Sequence, residues 1–134
     1  MPQETSWYVE NRVLRTRLYD VVTEEELANS GKESTELMKS AQPPLFLLID
    51  TRDVTRFPSN FKRMLERMHR YEGDSPVDWT IVLSGNSLLN FFGQMVTRVL
   101  PTPFQIFRTL DEAEAFIAHN APDLAPLLPM RNEA

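Results

Sequence analysis

Leu45-Phe46-Leu47-Leu48-Ile49-Asp50 is the stretch that decides the fold. Five apolar residues run without a break and stop at a carboxylate. A strand wet on one face would alternate apolar with polar side chains. An unbroken run suits a strand covered on both faces, which is the habit of a parallel sheet between helical layers. Trp79-Thr80-Ile81-Val82-Leu83 repeats the pattern and ends in Ser84-Gly85-Asn86. Phe104-Gln105-Ile106-Phe107 is a third, shorter example. A loop is expected from Thr51 to Pro58, between the first of these strands and the next helix.

Upstream, Trp7-Tyr8-Val9 and Val13 to Tyr19 read as two strands joined by Glu10-Asn11-Arg12, where Asn tolerates a positive φ. The second alternates: Val13, Arg15, Arg17 and Tyr19 face one way, Leu14, Thr16 and Leu18 the other. That suits a strand near a sheet edge with one partly wet face. Helices are expected between and after the strands. Thr23-Glu24-Glu25-Glu26 is a capping box under an acidic first turn. The helix it opens carries Leu27, Gly31, Met38 and Ala41 on one stripe, with Leu37 beside it, and Pro43-Pro44 ends it. Gly31 costs about 1 kcal/mol against Ala, and close approach to the sheet would explain it. A second helix, capped by Ser59 or Asn60, buries Phe61, Met64, Leu65 and Met68. A third runs from about Ser87 to Leu100, and a fourth follows the capping box Thr109-Leu110-Asp111-Glu112 with Ala113, Phe116 and Ile117 inward.

The expected fold is therefore α/β: one mainly parallel or mixed sheet of five strands, opened by an antiparallel pair, with four helices in the order ββαβαβαβα. Its 134 residues fit one domain, placed at 6–121, followed by a Pro-rich tail at 122–134. The tail's Leu124, Leu127 and Leu128 suit docking on a surface.

Composition narrows the chemistry. With no cysteine, thiolate nucleophiles, disulfides and cysteine-bound metals are excluded. The net charge of -5 argues against general nucleic-acid binding. Met1-Pro2-Gln3-Glu4-Thr5 lacks the regions of a signal peptide, and no apolar run reaches the roughly 20 residues of a membrane span. The expectation is a cytoplasmic protein without a transmembrane segment. No glycine-rich phosphate loop is present. His69 and His119 fall on polar faces of separate predicted helices, with no triad or metal spacing. Asp50 and Asp53 resemble half of a receiver-type acidic pocket, but Arg12 and Arg108 stand where its remaining acids and lysine would be. No catalytic residue, metal or cofactor is expected.

The element order resembles the STAS domain of bacterial anti-sigma-factor antagonists and its related lipid-binding-like branch. Three pieces carry the likeness: Phe46-Leu47-Leu48-Ile49-Asp50, Asp53-Val54-Thr55-Arg56-Phe57 leading into a helix, and Phe107-Arg108-Thr109-Leu110-Asp111-Glu112-Ala113. The resemblance implies a non-enzymatic regulatory module that signals by binding a protein partner. In the antagonists, a serine at the start of the helix after the central strand is phosphorylated. Ser59 in Pro58-Ser59-Asn60-Phe61 matches that serine, while the surrounding motif residues do not match. Ser59 is thus either a phosphorylation site or a helix cap.

Three further surfaces are candidates. The carboxyl ends of parallel strands are where α/β sheets bind ligands. Asp50, Ser84, Gly85, Asn86 and Arg108 gather there, either as an anion site or as turn and cap residues. Arg56, Lys62, Arg63, Arg67 and Arg70 give the second helix a basic face, suited to an acidic partner, to peripheral contact with an anionic membrane, or simply to solvent. On the third helix, Phe91, Phe92 and Met95 widen the apolar stripe beyond what one sheet face covers. The tail, a second copy in a homodimer, or an apolar ligand would cover it. The last option defines an alternative function, a small carrier of lipid or another apolar ligand in a helix–sheet pocket.

Overall fold

The structure is a computed structural model, and it describes residues 3–56, 77–84 and 104–132. The five strands are β1 (Gln3–Val9), β2 (Val13–Val21), β3 (Phe46–Arg56), β4 (Trp79–Leu83) and β5 (Phe104–Phe107). They form one mixed sheet in the order β1-β2-β3-β4-β5. β1 is antiparallel to β2, and the other neighbours are parallel. The register runs straight across the centre: Phe46 pairs with Val13 and Trp79, Leu48 with Arg15 and Ile81, and Asp50 with Arg17 and Leu83.

The β1–β2 turn forms as its residues require. Asn11 takes φ 66°, and the Arg12 N–H donates to the Val9 carbonyl. Two α-helices flank the sheet, α1 (Glu24–Leu37) and α2 (Leu110–Asn120), and a single-turn helix α3 (Pro129–Asn132) closes the chain. The threonine half of both expected capping boxes is present, while Glu26 Oε2 is buried without a partner among the described residues. Thr23 Oγ1 accepts from the Glu26 N–H, and Thr109 Oγ1 from the Glu112 N–H, each at 3.2 Å. Each hydroxyl satisfies one of the free donors at its helix start.

Side-chain alternation sends the two sheet faces to different cores. On one face Val13, Phe46, Leu48, Ile81 and Leu83 pack against Ala113 and Ile117 of α2. Trp79 and Phe107 flank Phe116 there, with the Trp79 and Phe116 rings 4.9 Å apart, edge to face. On the other face Leu18, Val22 and Val54 form a smaller cluster, joined by Ile49 and by Leu27 of α1. The tail belongs to the first core. A 3-10 segment, Pro122–Leu127, follows α2 and places Leu124 and Leu128 among its fully buried side chains. Full burial of a leucine contributes about 2 kcal/mol.

Several expectations change. Three α-helices, not four, occur among the described residues, which run ββα, then βββ, then αα. The helices expected near 59–72 and 87–100 lie outside those residues. Residues 51–56, expected as a loop, continue β3, because β2 itself runs on to Val21 and offers parallel partners for Asp53, Val54 and Arg56. Gly31 is no close-approach position: a Cβ built there meets nothing within 4 Å. The buried positions of α1 are Ser30 and Ser34, so its inward stripe is rotated from the expected one. The small hydroxyls, not the glycine, let the helix lie close to the sheet.

Candidate functional site

β2 and β3 bring together a polar cluster where their apolar segments end. Val13 and Phe46 lie in the α2-side core, so period-two alternation puts Arg15, Arg17 and Asp50 on that same face. The register slips between Arg17/Tyr19 on β2, which places Asp53 opposite Tyr19. Such a bulge re-aims side chains. It leaves Arg52 beside Asp50.

Asp50 is the centre. Its side chain is 2% exposed. Oδ1 accepts from the Arg52 backbone N–H at 3.1 Å and from Arg52 Nε at 3.0 Å. Oδ2 accepts from Arg52 Nη2 at 2.8 Å and Arg15 Nη2 at 3.1 Å. Burial by itself pushes the Asp50 carboxyl up. The hydrogen bonds from the Arg52 side chain and backbone, then from Arg15, outweigh burial and hold it below its ordinary value. Asp50 is thus an ionised, fully bonded anchor. Arg17 forms the outer layer, donating to Asp53 Oδ2 at 3.2 Å and lying 4.6 Å from the centroid of the Tyr19 ring.

The rest of the expected ligand site is arranged differently. Thr51 points to the opposite face from Asp50 and donates to the Leu83 carbonyl at 2.7 Å. Ser84 is buried, with its N–H donating to the Phe107 carbonyl, while Arg108 is exposed. Gly85 and Asn86 lie outside the described residues. So do Ser59, Lys62, Arg63, Arg67 and Arg70 of the expected phosphorylation site and basic face, and Phe91, Phe92 and Met95 of the expected apolar face. Arg56 is described, exposed, at the end of β3. Among the described residues no group of three or more acidic or histidine side chains could hold a metal ion, and no helix is long and apolar enough to cross a membrane.

Arg15, Arg17 and Arg52 are the site residues that sequence reasoning missed. A signal existed for two of them. Arg15 and Arg17 share a face with the apolar Val13, and arginines continuing a buried stripe call for a buried acid. Arg52 gave none, because its place depends on the bulge.

No family model matches the chain, and no curated protein does. A solved structure does. The chain is similar to an uncharacterised protein of the DUF3478 family, with a SpoIIAA-like fold, from Shewanella loihica PV-4. The two share 12% identity, with 85% of this chain and 90% of that one covered and a TM-score of 0.62. At that identity the likeness establishes a fold, and the fold is the SpoIIAA-like one that the STAS resemblance implied.

Proposed function

We propose that this chain is a non-enzymatic regulatory module that works by binding a protein partner, and that it self-associates as a homodimer. One observation carries the reading. Asp50 lies inside β3, level with Leu83 at the carboxyl end of β4, and both its oxygens are taken up by bonds from Arg15 and Arg52. A carboxylate lowered in pKa and bonded on both oxygens is a poor general base, nucleophile or metal ligand. What it does well is hold two guanidiniums at fixed positions on a surface, which suits recognition. The SpoIIAA-like fold is consistent with this role.

The test is cross-linking of the intact chain in its native host, followed by mass spectrometry, with light scattering of the purified chain alongside. A discrete cross-linked protein and a scattering mass of two chains are expected. Turnover of a small substrate by the purified chain, lost in Asp50→Asn, would overturn the non-enzymatic reading. A scattering mass of one chain at every concentration would remove the homodimer. The carrier alternative rests on Phe91, Phe92 and Met95, and no observation on the described residues favours it.

A further inference from the structure

The cluster around Asp50 holds more positive charge than its structural task requires. One guanidinium is enough to neutralise one buried carboxylate, yet Arg15 and Arg52 converge on the same oxygen, Oδ2. The trio therefore carries one surplus positive charge, on a chain whose net charge is -5. The negative partner is hidden, at 2% exposure, while the Arg15 and Arg52 side chains are 30% and 35% exposed. A molecule arriving from solvent meets the donors before it meets Asp50, with the exposed Asp53 beside the site, where it also acts on Arg52. Arg15 is also held at a cost: its Nε is buried and has no acceptor. A buried donor without an acceptor is unfavourable, because it has given up its bonds to water. Apolar side chains of similar volume would hold a sheet face at least as well.

We infer that the Arg15–Arg52 pair, anchored from below by Asp50, is a binding site for a phosphoryl oxyanion. The guanidinium forks are already immobilised by their bonds to Asp50, so little ordering remains on binding. Each keeps its Nη1 amine and one Nη2 hydrogen outside the Asp50 contacts. A phosphoryl group, with three accepting oxygens, can use donors from two forks at once, and such charge-assisted bonds are the strong ones. The site lies within the longer β2 and β3, at the level where the shorter β4 ends at Leu83. Arg17 stands outside it, because Asp53 engages its fork and the more distant Glu4 lies 3.8 Å from it.

The test is a nuclear magnetic resonance titration of the intact, isotopically labelled chain, following the arginine Nε–Hε signals at constant ionic strength. Inorganic phosphate and O-phosphoserine are the two probes, with chloride as control. Saturable shifts confined to Arg15, Arg52 and their neighbours are expected. Tighter binding of phosphate would identify a free ion as the ligand, and tighter binding of phosphoserine a phosphoryl group on a larger molecule. Arg52→Gln, at a part-exposed position, should weaken either probe by about tenfold while the amide signals of α1 and α2 stay in place. Arg15→Gln should do the same. Absence of a saturable shift in the unsubstituted chain, shifts matched by chloride, or unchanged binding by a folded Arg52→Gln chain would each overturn the site.

Discussion

Tyr8 and Glu114, separated by 106 positions in sequence, meet inside the α2-side core, where the Tyr8 hydroxyl donates to Glu114 Oε2. The same oxygen accepts the Met130 N–H at 3.1 Å. One fully buried carboxylate thus ties an edge strand, a helix and the last turn of the chain together. Tyr8→Phe removes one donor from a buried acceptor and should cost about 1–2 kcal/mol. Glu114→Ala removes the acceptor from both donors and opens a cavity, and should cost about 3 kcal/mol or more. Urea denaturation checks both: the midpoint should fall in that order with little change in slope.

The tail offers a sharper contrast. Leu124 and Leu128 are fully buried in the core, whereas Leu127 between them is 58% exposed. Leu124→Ala and Leu128→Ala should each cost about 2–4 kcal/mol, and Leu127→Ala under about 0.5 kcal/mol. A chain ending at Ala121 should lose the most, because it removes the buried Leu124 and Leu128 together and takes the Met130 N–H from Glu114. Thermal unfolding of the four variants reads the order. Equal effects at Leu124 and Leu127 would show that the tail does not seal the core.

Asp50 makes a prediction in pH. Its folded carboxyl lies below its ordinary value, while the unfolded one titrates near about 3.9. Its contribution to stability is therefore complete above the unfolded value. It declines as pH falls below that value and is gone once pH passes the folded value. Asp50→Asn should cost about 2–3 kcal/mol at neutral pH, because two part-buried guanidiniums lose the negative charge and one of the two accepting oxygens, which becomes an NH2 donor. The gap between the two chains should narrow on acidification through the carboxylate range. Denaturant midpoints measured at several pH values give the comparison, and a gap that widens in acid would contradict the assignment.

How far the sequence could be read follows from where its information is local. Apolar runs such as Phe46–Ile49 and Trp79–Leu83 carry their burial in their own composition, and the caps Thr23 and Thr109 carry theirs in a four-residue pattern. These elements were legible. The extension of β3 was not, because Thr51, Arg52 and Asp53 are polar and become strand only against β2. The site was hidden for the same reason. Asp50 was visible as the residue ending a buried run, but its arginines come from 35 positions away in Arg15 and from a bulge in Arg52. Glu114 reads as an ordinary helix acid, and the two donors that meet it come from far along the chain, in Tyr8 and Met130.

At Gly31 the structure reverses the expected sign. A glycine inside a helix suggests a contact that only hydrogen permits, and Ala would then clash. In the structure Gly31 is exposed on α1, its φ is not positive, and a Cβ meets nothing within 4 Å. The glycine therefore brings only its cost: extra freedom in the unfolded chain and a backbone open to water. Gly31→Ala should stabilise the chain by about 0.5–1 kcal/mol. The neighbouring Ser34→Leu, at a buried position facing the sheet, should destabilise it by about 1–3 kcal/mol through overpacking. The pair locates the inward face of α1 by experiment. Urea midpoints moving in opposite directions would confirm the rotated stripe, and a loss of stability in Gly31→Ala would restore the close-approach reading.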